Sequence, residues 1–446
     1  MTTVFLKRRT RDFPAVVLGA ALPVLLLRPD HVPVLISWRK VELRVSDLAI
    51  LLVVLVVART RRAFESRDVV YRWVWFSPFL ALLLVSGVNA QDRADVTVGV
   101  LKLVEYFILG LGASLVLWNR RAIQIVVGAF VASAAVLGFI GAVEILRSHR
   151  LGARAESLTG TDPLGLIGAA IIAVVWSAPS LLGTRRFRRA AAATGVLCFV
   201  VAGSMSAALG LLLAGTFAAA RRLGGFAEFR RRSILVGAVS VLGAVVLLLA
   251  TRWNDVSAAA RHFGPNSSTQ TQHSGSFIQR LMFADFGFRI WLDHPVLGVG
   301  FQQTPKLSEW GPYFASVRAD FPTLPITYFP EISGMSFGQP VSTTKFSLHT
   351  VYSQLLAETG VVGFVLFSLG FVGAAGPAFR HARKSEVACI GALVVLVVLG
   401  ALTRNELYGG LPETTVMVLG LAFAVRGSEW SSAQSSSGPM AGTALM

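Results

Sequence analysis

Apolar runs of membrane-spanning length recur along this chain, separated by short clusters of arginine and lysine. No water-soluble fold has a use for so many. A helix needs about twenty apolar residues to cross a bilayer, fewer where flanking basic side chains reach back to the interface. Runs of this kind lie at roughly 12–28, 46–60, 69–88, 99–118, 122–146, 163–182, 190–205, 206–221, 233–251, 350–376, 387–403 and 412–426. The seventh and eighth are short and meet at Gly203-Ser204-Met205-Ser206. The predicted fold class is therefore an all-α integral membrane protein with about twelve transmembrane helices. Composition agrees: only 15% of residues are charged, against about a quarter in soluble proteins. Cys198 and Cys389 each fall inside an apolar run and read as small core residues.

The net charge of +17 would suit a nucleic-acid binder, but the placement of the basic residues argues against that partner. They sit between the apolar runs, as topology signals do. With the N-terminus cytoplasmic, the inside segments hold Lys7–Arg11, Arg59–Arg67, Arg120-Arg121, Arg185–Arg189, Arg221–Arg232, Arg380–Lys384 and Arg426. That is 23 Lys and Arg inside against 9 in the short outside loops. The first run follows Lys7-Arg8-Arg9 as a signal peptide would, but no small-residue cleavage site follows, so it reads as a first span. Both termini are then cytoplasmic, and one large external loop joins the ninth and tenth spans. The expected organisation is a membrane bundle over 1–251, an external or periplasmic loop over 252–348, further membrane helices over 349–426 and a Ser-rich disordered cytoplasmic tail over 427–446.

A loop of that length usually carries function. Its last part holds Pro305, Pro312, Pro322, Pro325, Pro330 and Pro340, which rule out a long helix there. Before them, Phe277 to Asp293 reads as an amphipathic helix at the interface. At about 100° per residue, Phe277, Leu281, Ala284, Phe288, Trp291 and Leu292 share one side. Arg280 flanks that apolar stripe, while Arg289 lies opposite, with Asp285 and Asp293 four residues to either side as ion-pair partners. Arg280 has no acidic residue three or four positions away, so it either meets an anion or snorkels to lipid phosphate. The loop ends at Ser347-Leu348-His349-Thr350, where the tenth span begins. His349 is expected in that helix's first turn, where the helix dipole keeps imidazole neutral and able to accept a proton. Tyr352, Ser353, Leu356, Gly360 and Gly363 follow on its stripe, the glycines allowing a close helix approach. Glu358 faces away and reads as a buried structural carboxyl.

Two segments together carry a family resemblance. Arg280, then Pro295-Val296-Leu297-Gly298-Val299-Gly300-Phe301, resembles the periplasmic-loop signature of the O-antigen ligase and polymerase family. His349-Thr350-Val351-Tyr352 through Gly360-Val361-Val362-Gly363 resembles that family's histidine motif, and Thr161-Asp162-Pro163-Leu164-Gly165 is a weaker echo of an earlier segment. The resemblance implies an inverting glycosyltransferase whose donor is a glycan on a polyprenyl diphosphate, undecaprenyl diphosphate in bacteria. Its acceptor would be a glycan, lipid or protein hydroxyl. It further implies His349 as catalytic base and Arg280 as the residue holding the donor diphosphate, with Tyr352, Pro295, Gly298, Gly300, Gly360 and Gly363 in support. No metal or other cofactor is implied, and the loop has neither an Asp-x-Asp pair nor a His/Cys cluster of ligand spacing.

One departure stands out. Relatives carry an arginine after a serine near the outer end of the eighth span, where this chain has Gly203-Ser204-Met205-Ser206-Ala207-Ala208. Arg252, Arg154 and Arg404 are the candidates for additional anion binding. Two other classes fit a dozen spans: a flippase for lipid-linked glycans, and a non-catalytic scaffold of a polysaccharide-export complex. A flippase would need charges along its spans, and Lys102, Glu105, Glu144 and Glu358 are nearly the whole intramembrane set.

Overall fold

Helices dominate the architecture. The structure, a computed structural model, describes residues 12–38, 41–60, 67–88, 90, 93–148, 154–155, 157–223, 275–303, 313, 316–317, 319–320, 350–401 and 411–436. The expected ninth span, 233–251, lies outside these residues. The helices are α1 (Phe13–Leu25), α2 (Val45–Ala58), α3 (Arg67–Val74), α4 (Ser77–Ser86), α5 (Arg93–Val116), α6 (Arg120–Ser148), α7 (Thr161–Ser177), α8 (Arg185–Ala202), α9 (Met205–Leu223), α10 (Gly275–Asp293), α11 (Val351–His381), α12 (Glu386–Ala401) and α13 (Leu411–Ser436). Among the described residues, four segments are long and apolar enough to cross a membrane: Arg67–Ser86, Arg93–Val116, Arg120–Ser148 and Val351–His381. Five shorter apolar helices accompany them.

Outward-facing side chains repeat at helical spacing and are apolar. Leu48, Leu51, Leu52 and Leu55 form one exposed stripe on α2, and Val361, Val365, Leu369 and Val372 another on α11. Such stripes have a place only in lipid or against a partner. Inside the bundle, small residues bring backbones together, as expected where lipid gives no hydrophobic drive between helices. A Cβ at Gly210 of α9 would lie 2.2 Å from the Val397 carbonyl oxygen of α12, and one at Gly391 would lie 2.2 Å from the Ala424 nitrogen of α13. Aromatic rings fill the space between α3, α4, α5 and α11. The Phe76 ring is 4.6 Å from Phe107 and 5.7 Å from Phe371, and Phe79 is 5.2 Å from Phe367. Each such pair adds about 0.5–1.5 kcal/mol beyond burial.

Polar contacts collect at the two ends of the bundle. At one end, Asp12 pairs with Arg121 at 3.2 Å, Arg120 donates to the Ser180 carbonyl at 2.5 Å and the Ser180 hydroxyl meets Glu386. At the other, the Tyr352 hydroxyl donates to the Leu399 carbonyl at 2.6 Å, Ser204 donates to Asp162 at 2.8 Å, and Thr159 donates to the Leu26 carbonyl at 2.5 Å. The N-termini of α7, α9 and α11 and the C-termini of α1, α6 and α12 therefore share this second end.

Several expectations need correction. Residues Val34–Trp38 and Val41–Arg44 form an antiparallel hairpin, β1 and β2, with Val34 opposite Arg44, where no strand was expected. The third span breaks at Trp75-Phe76, because Pro78 starts α4 afresh. The last helix runs ten residues past the expected end at 426. Gly427 and Ser428 extend the packing there: Ser428 is 2% exposed, and a Cβ at Gly427 would lie 2.2 Å from the Ala388 nitrogen. Lys102, one of the few intramembrane charges, pairs with Glu105 at 3.2 Å and more closely with Asp47 at 2.6 Å.

Candidate active site at one end of the bundle

Pro295 has no N–H to extend α10, and the chain turns through Gly298 (φ +65°) and Gly300 (φ +104°), conformations that favour glycine. This turn docks onto a fault in α11. Gly360 has φ +64° and ψ −170°, so the helix is interrupted there. An interruption strands carbonyls before it and N–H groups after it. The turn answers both sets. Val299 N–H donates to the Ala357 carbonyl at 2.9 Å and Gly300 N–H to that of Glu358 at 3.0 Å. In return, Val361 N–H donates to the Pro295 carbonyl at 2.8 Å and Val362 N–H to that of Val296 at 3.4 Å. A Cβ would lie 2.3 Å from the Glu358 carbonyl carbon at Gly298, and 2.2 Å from the Val296 carbonyl carbon at Gly360. Next to the turn, Phe301 N–H donates to Ser86 Oγ at 3.2 Å, which ties it to the end of α4. The Pro-x-x-Gly-x-Gly segment and the first glycine of Gly-x-x-Gly, about sixty residues apart in sequence, thus make one backbone unit.

The same docking sorts the faces of α10. Met282, Phe283, Phe286 and Ile290 are fully buried on the face toward α11. Phe288 and Leu292, from the stripe expected to be apolar, remain 48% and 56% exposed, and Val296 is 57% exposed. The helix therefore has two apolar faces, and the buried one escaped the sequence reading. Arg289 lies away from the exposed stripe, as expected, and donates to Asp285 at 2.9 Å, with Asp320 as second partner. These acids raise its pKa, the Asp285 hydrogen bond most strongly. Asp293 instead accepts from the Tyr313 hydroxyl at 2.5 Å, which corrects its expected pairing with Arg289. Arg280 is on α10, one turn before Phe283 and Ala284. Its side chain lies outside the described residues.

Helix α11 starts at Val351 with Thr350 as its N-cap. His349 itself lies outside the described residues. The Tyr352 hydroxyl caps the Leu399 carbonyl. Glu358 is fully buried, as expected, and accepts from Gln354 Nε2 at 3.2 Å. Gly363 is buried, with Leu82 of α4 3.2 Å from where its Cβ would stand.

At the α8–α9 turn, Gly203 adopts φ +56° and Ser204 donates to Asp162. The Ser204 and Ser206 hydroxyls are 3.0 Å apart. This is the stretch where the resemblance leads one to expect an arginine, and a guanidinium is present from elsewhere. Arg154, from the α6–α7 loop, donates to the Gly203 carbonyl at 3.0 Å and lies 3.9 Å from Asp162. Arg252 and Arg404 lie outside the described residues. The role of Asp162 was legible only as the faint Asp-Pro echo. No signal in the sequence pointed to Ser204 as its partner.

A comparison with curated proteins finds no match. Residues 190–368 match the family model described as O-antigen ligase. The matched segment includes most of α8, all of α9 and α10, the glycine turn and the interrupted half of α11. Over that segment, which is less than half of the chain, this multi-pass membrane protein is similar to the O-antigen ligase family.

Proposed function

We propose that this chain transfers a glycan from a polyprenyl diphosphate to an acceptor hydroxyl with inversion at the anomeric carbon, polymerising or ligating a surface polysaccharide. In a single displacement the acceptor oxygen bonds to the anomeric carbon as the bond to the diphosphate oxygen breaks. His349 takes the acceptor proton. Arg280 holds the departing diphosphate, whose charge grows as the bond breaks, through a fork that stays charged and matches phosphate oxygens.

The observation that carries this reading is the four-bond backbone lock between the turn after α10 and the fault in α11. It joins the helix of Arg280 to the helix that follows His349 in the chain, so the two helices that support the proposed residues share one backbone unit. Rigid support of this kind is what a displacement mechanism needs. Arg154 takes the part of a second cation, supported by its hydrogen bond at the turn where relatives carry their arginine. Twelve spans, both termini cytoplasmic and the site facing outward remain our topology. Its support is the gathering of Tyr352, Ser204, Asp162 and Arg154 at the bundle end opposite Arg120 and Glu386.

The test is a transfer assay in nanodiscs with the host's lipid-linked glycans, products being read by gel and mass spectrometry. Wild type should yield longer glycans or a new conjugate, and H349A and R280A neither. Full transfer by H349A would remove the base assignment. Unchanged glycans with all three proteins, alongside donor movement across the bilayer, would replace the enzyme with a flippase.

A further inference from the structure

The α6–α7 loop does more than present Arg154. Its residues are stitched to two helices and to the segment after α1. Ala155 N–H donates to the Val201 carbonyl at 3.3 Å, Ser157 Oγ to the Leu137 carbonyl at 2.9 Å, and the Leu158 carbonyl accepts from Arg28 N–H at 2.9 Å. Between this loop, the end of α6 and the 3-10 turn Pro29–His31 lies an open cleft of about 460 Å³. Its lining is His31, Glu144, Ile145, Ser148, Arg154, Ser157 and Leu158. Glu144 is held in position, because its Oε2 accepts from Ser157 N–H at 2.8 Å.

We infer that this cleft is a carbohydrate subsite that receives the sugar next to the donor's diphosphate. The lining interleaves groups of opposite hydrogen-bonding sense. A carboxylate accepts from hydroxyls, as do the oxygens of Ser148 and Ser157, whose protons go to the Ile145 and Leu137 carbonyls; a guanidinium donates to them, and an imidazole does either. A neutral polyol presents both senses at every ring carbon. Other ligand classes fit less well: the Glu144 charge opposes an anion, the Arg154 charge opposes a metal cation, and the polar lining opposes a lipid tail. Ile145 and Leu158 offer an apolar surface to the C–H face of a sugar ring, and the volume falls within the range of small-ligand sites. The assignment to the donor rests on the proposed function above. Arg154 borders both the Gly203-Ser204 turn and the cleft, so a diphosphate on its guanidinium delivers its first sugar there.

The test is native mass spectrometry of the full chain in nanodiscs with two lipids: polyprenyl diphosphate carrying one host repeat unit, and the same lipid without sugar. Wild type should bind the glycan-bearing lipid more tightly. H31A and E144Q should each lose on the order of tenfold for that lipid only, the effect of one hydrogen bond involving a charged group, with the sugar-free lipid unchanged. Glutamine keeps an oxygen for Ser157 N–H and His31 is exposed, so unaltered melting temperatures should confirm intact folds. Equal losses for both lipids, or no loss for either, would overturn the subsite. Wild type that binds neither lipid would instead overturn the donor class on which it rests.

Discussion

Substituting Gly360 with alanine tests the lock between the turn and α11. The residue has φ +64° and ψ −170°, a region that is essentially restricted to glycine and costs other residues about 1–3 kcal/mol. The new Cβ would also stand 2.2 Å from both the Val296 carbonyl carbon and oxygen, so the turn must move. Four backbone hydrogen bonds depend on its position, each worth a net of about 0.5–1.5 kcal/mol. Even the lower ends of these ranges combine to about 3 kcal/mol, on the order of a hundredfold in the docked population at 1.4 kcal/mol per decade. Hydrogen–deuterium exchange should therefore show the amides of Val299, Gly300, Val361 and Val362 losing about two decades of protection, with transfer activity falling in step. Gly128→Ala is the control: it lies in α6 with nothing within 4 Å of the added methyl, and alanine favours a helix by about 1 kcal/mol. A G360A protein with native protection and full transfer would refute both the strain argument and the role of the lock.

Other expectations follow from individual contacts. Arg280→Lys should cost transfer more than tenfold, because an ammonium cannot reproduce a two-pronged phosphate contact. Arg289→Ala should leave transfer within a few-fold, since it removes partly exposed pairs with Asp285 and Asp320 of a kind worth about 0–1 kcal/mol; equal losses in the same assay would end the distinction between the two arginines. Tyr352→Phe should lower stability by about 1 kcal/mol through loss of the bond to the Leu399 carbonyl, with transfer kept within tenfold. A collapse of transfer at unchanged melting temperature would place its hydroxyl on the substrate.

Helix positions were the most legible part of the sequence, because each apolar run reports its own environment. Helix α6 was expected over 122–146 and runs from Arg120 to Ser148. Features that depend on a partner segment were not legible. Gly360 and Gly363 read as two sites of close approach, and the sequence offered no sign that Gly360 interrupts its helix. That property follows from Val296 lying against it. The buried face of α10 escaped for a related reason. Phe283, Phe286 and Ile290 compete with Phe288, Trp291 and Leu292 for the label of apolar stripe, and periodicity cannot rank two apolar faces of one helix. The hairpin at Val34–Arg44 hid between two spans that draw attention from so short a pair. Of the three candidate arginines, Arg154 is the one among the described residues, and its contact with Gly203 depends on a partner segment that the sequence does not identify.

The fault in α11 also bears on how the chain is made. A helix entering hydrocarbon with two carbonyls and two N–H groups unanswered carries a penalty of several kcal/mol for each. The turn that answers them precedes α11 in the chain and is synthesised before it. The loop segment must therefore fold back and meet α11 for that helix to rest in the bilayer without penalty. Docking of the turn and settling of the helix in the bilayer are thereby coupled.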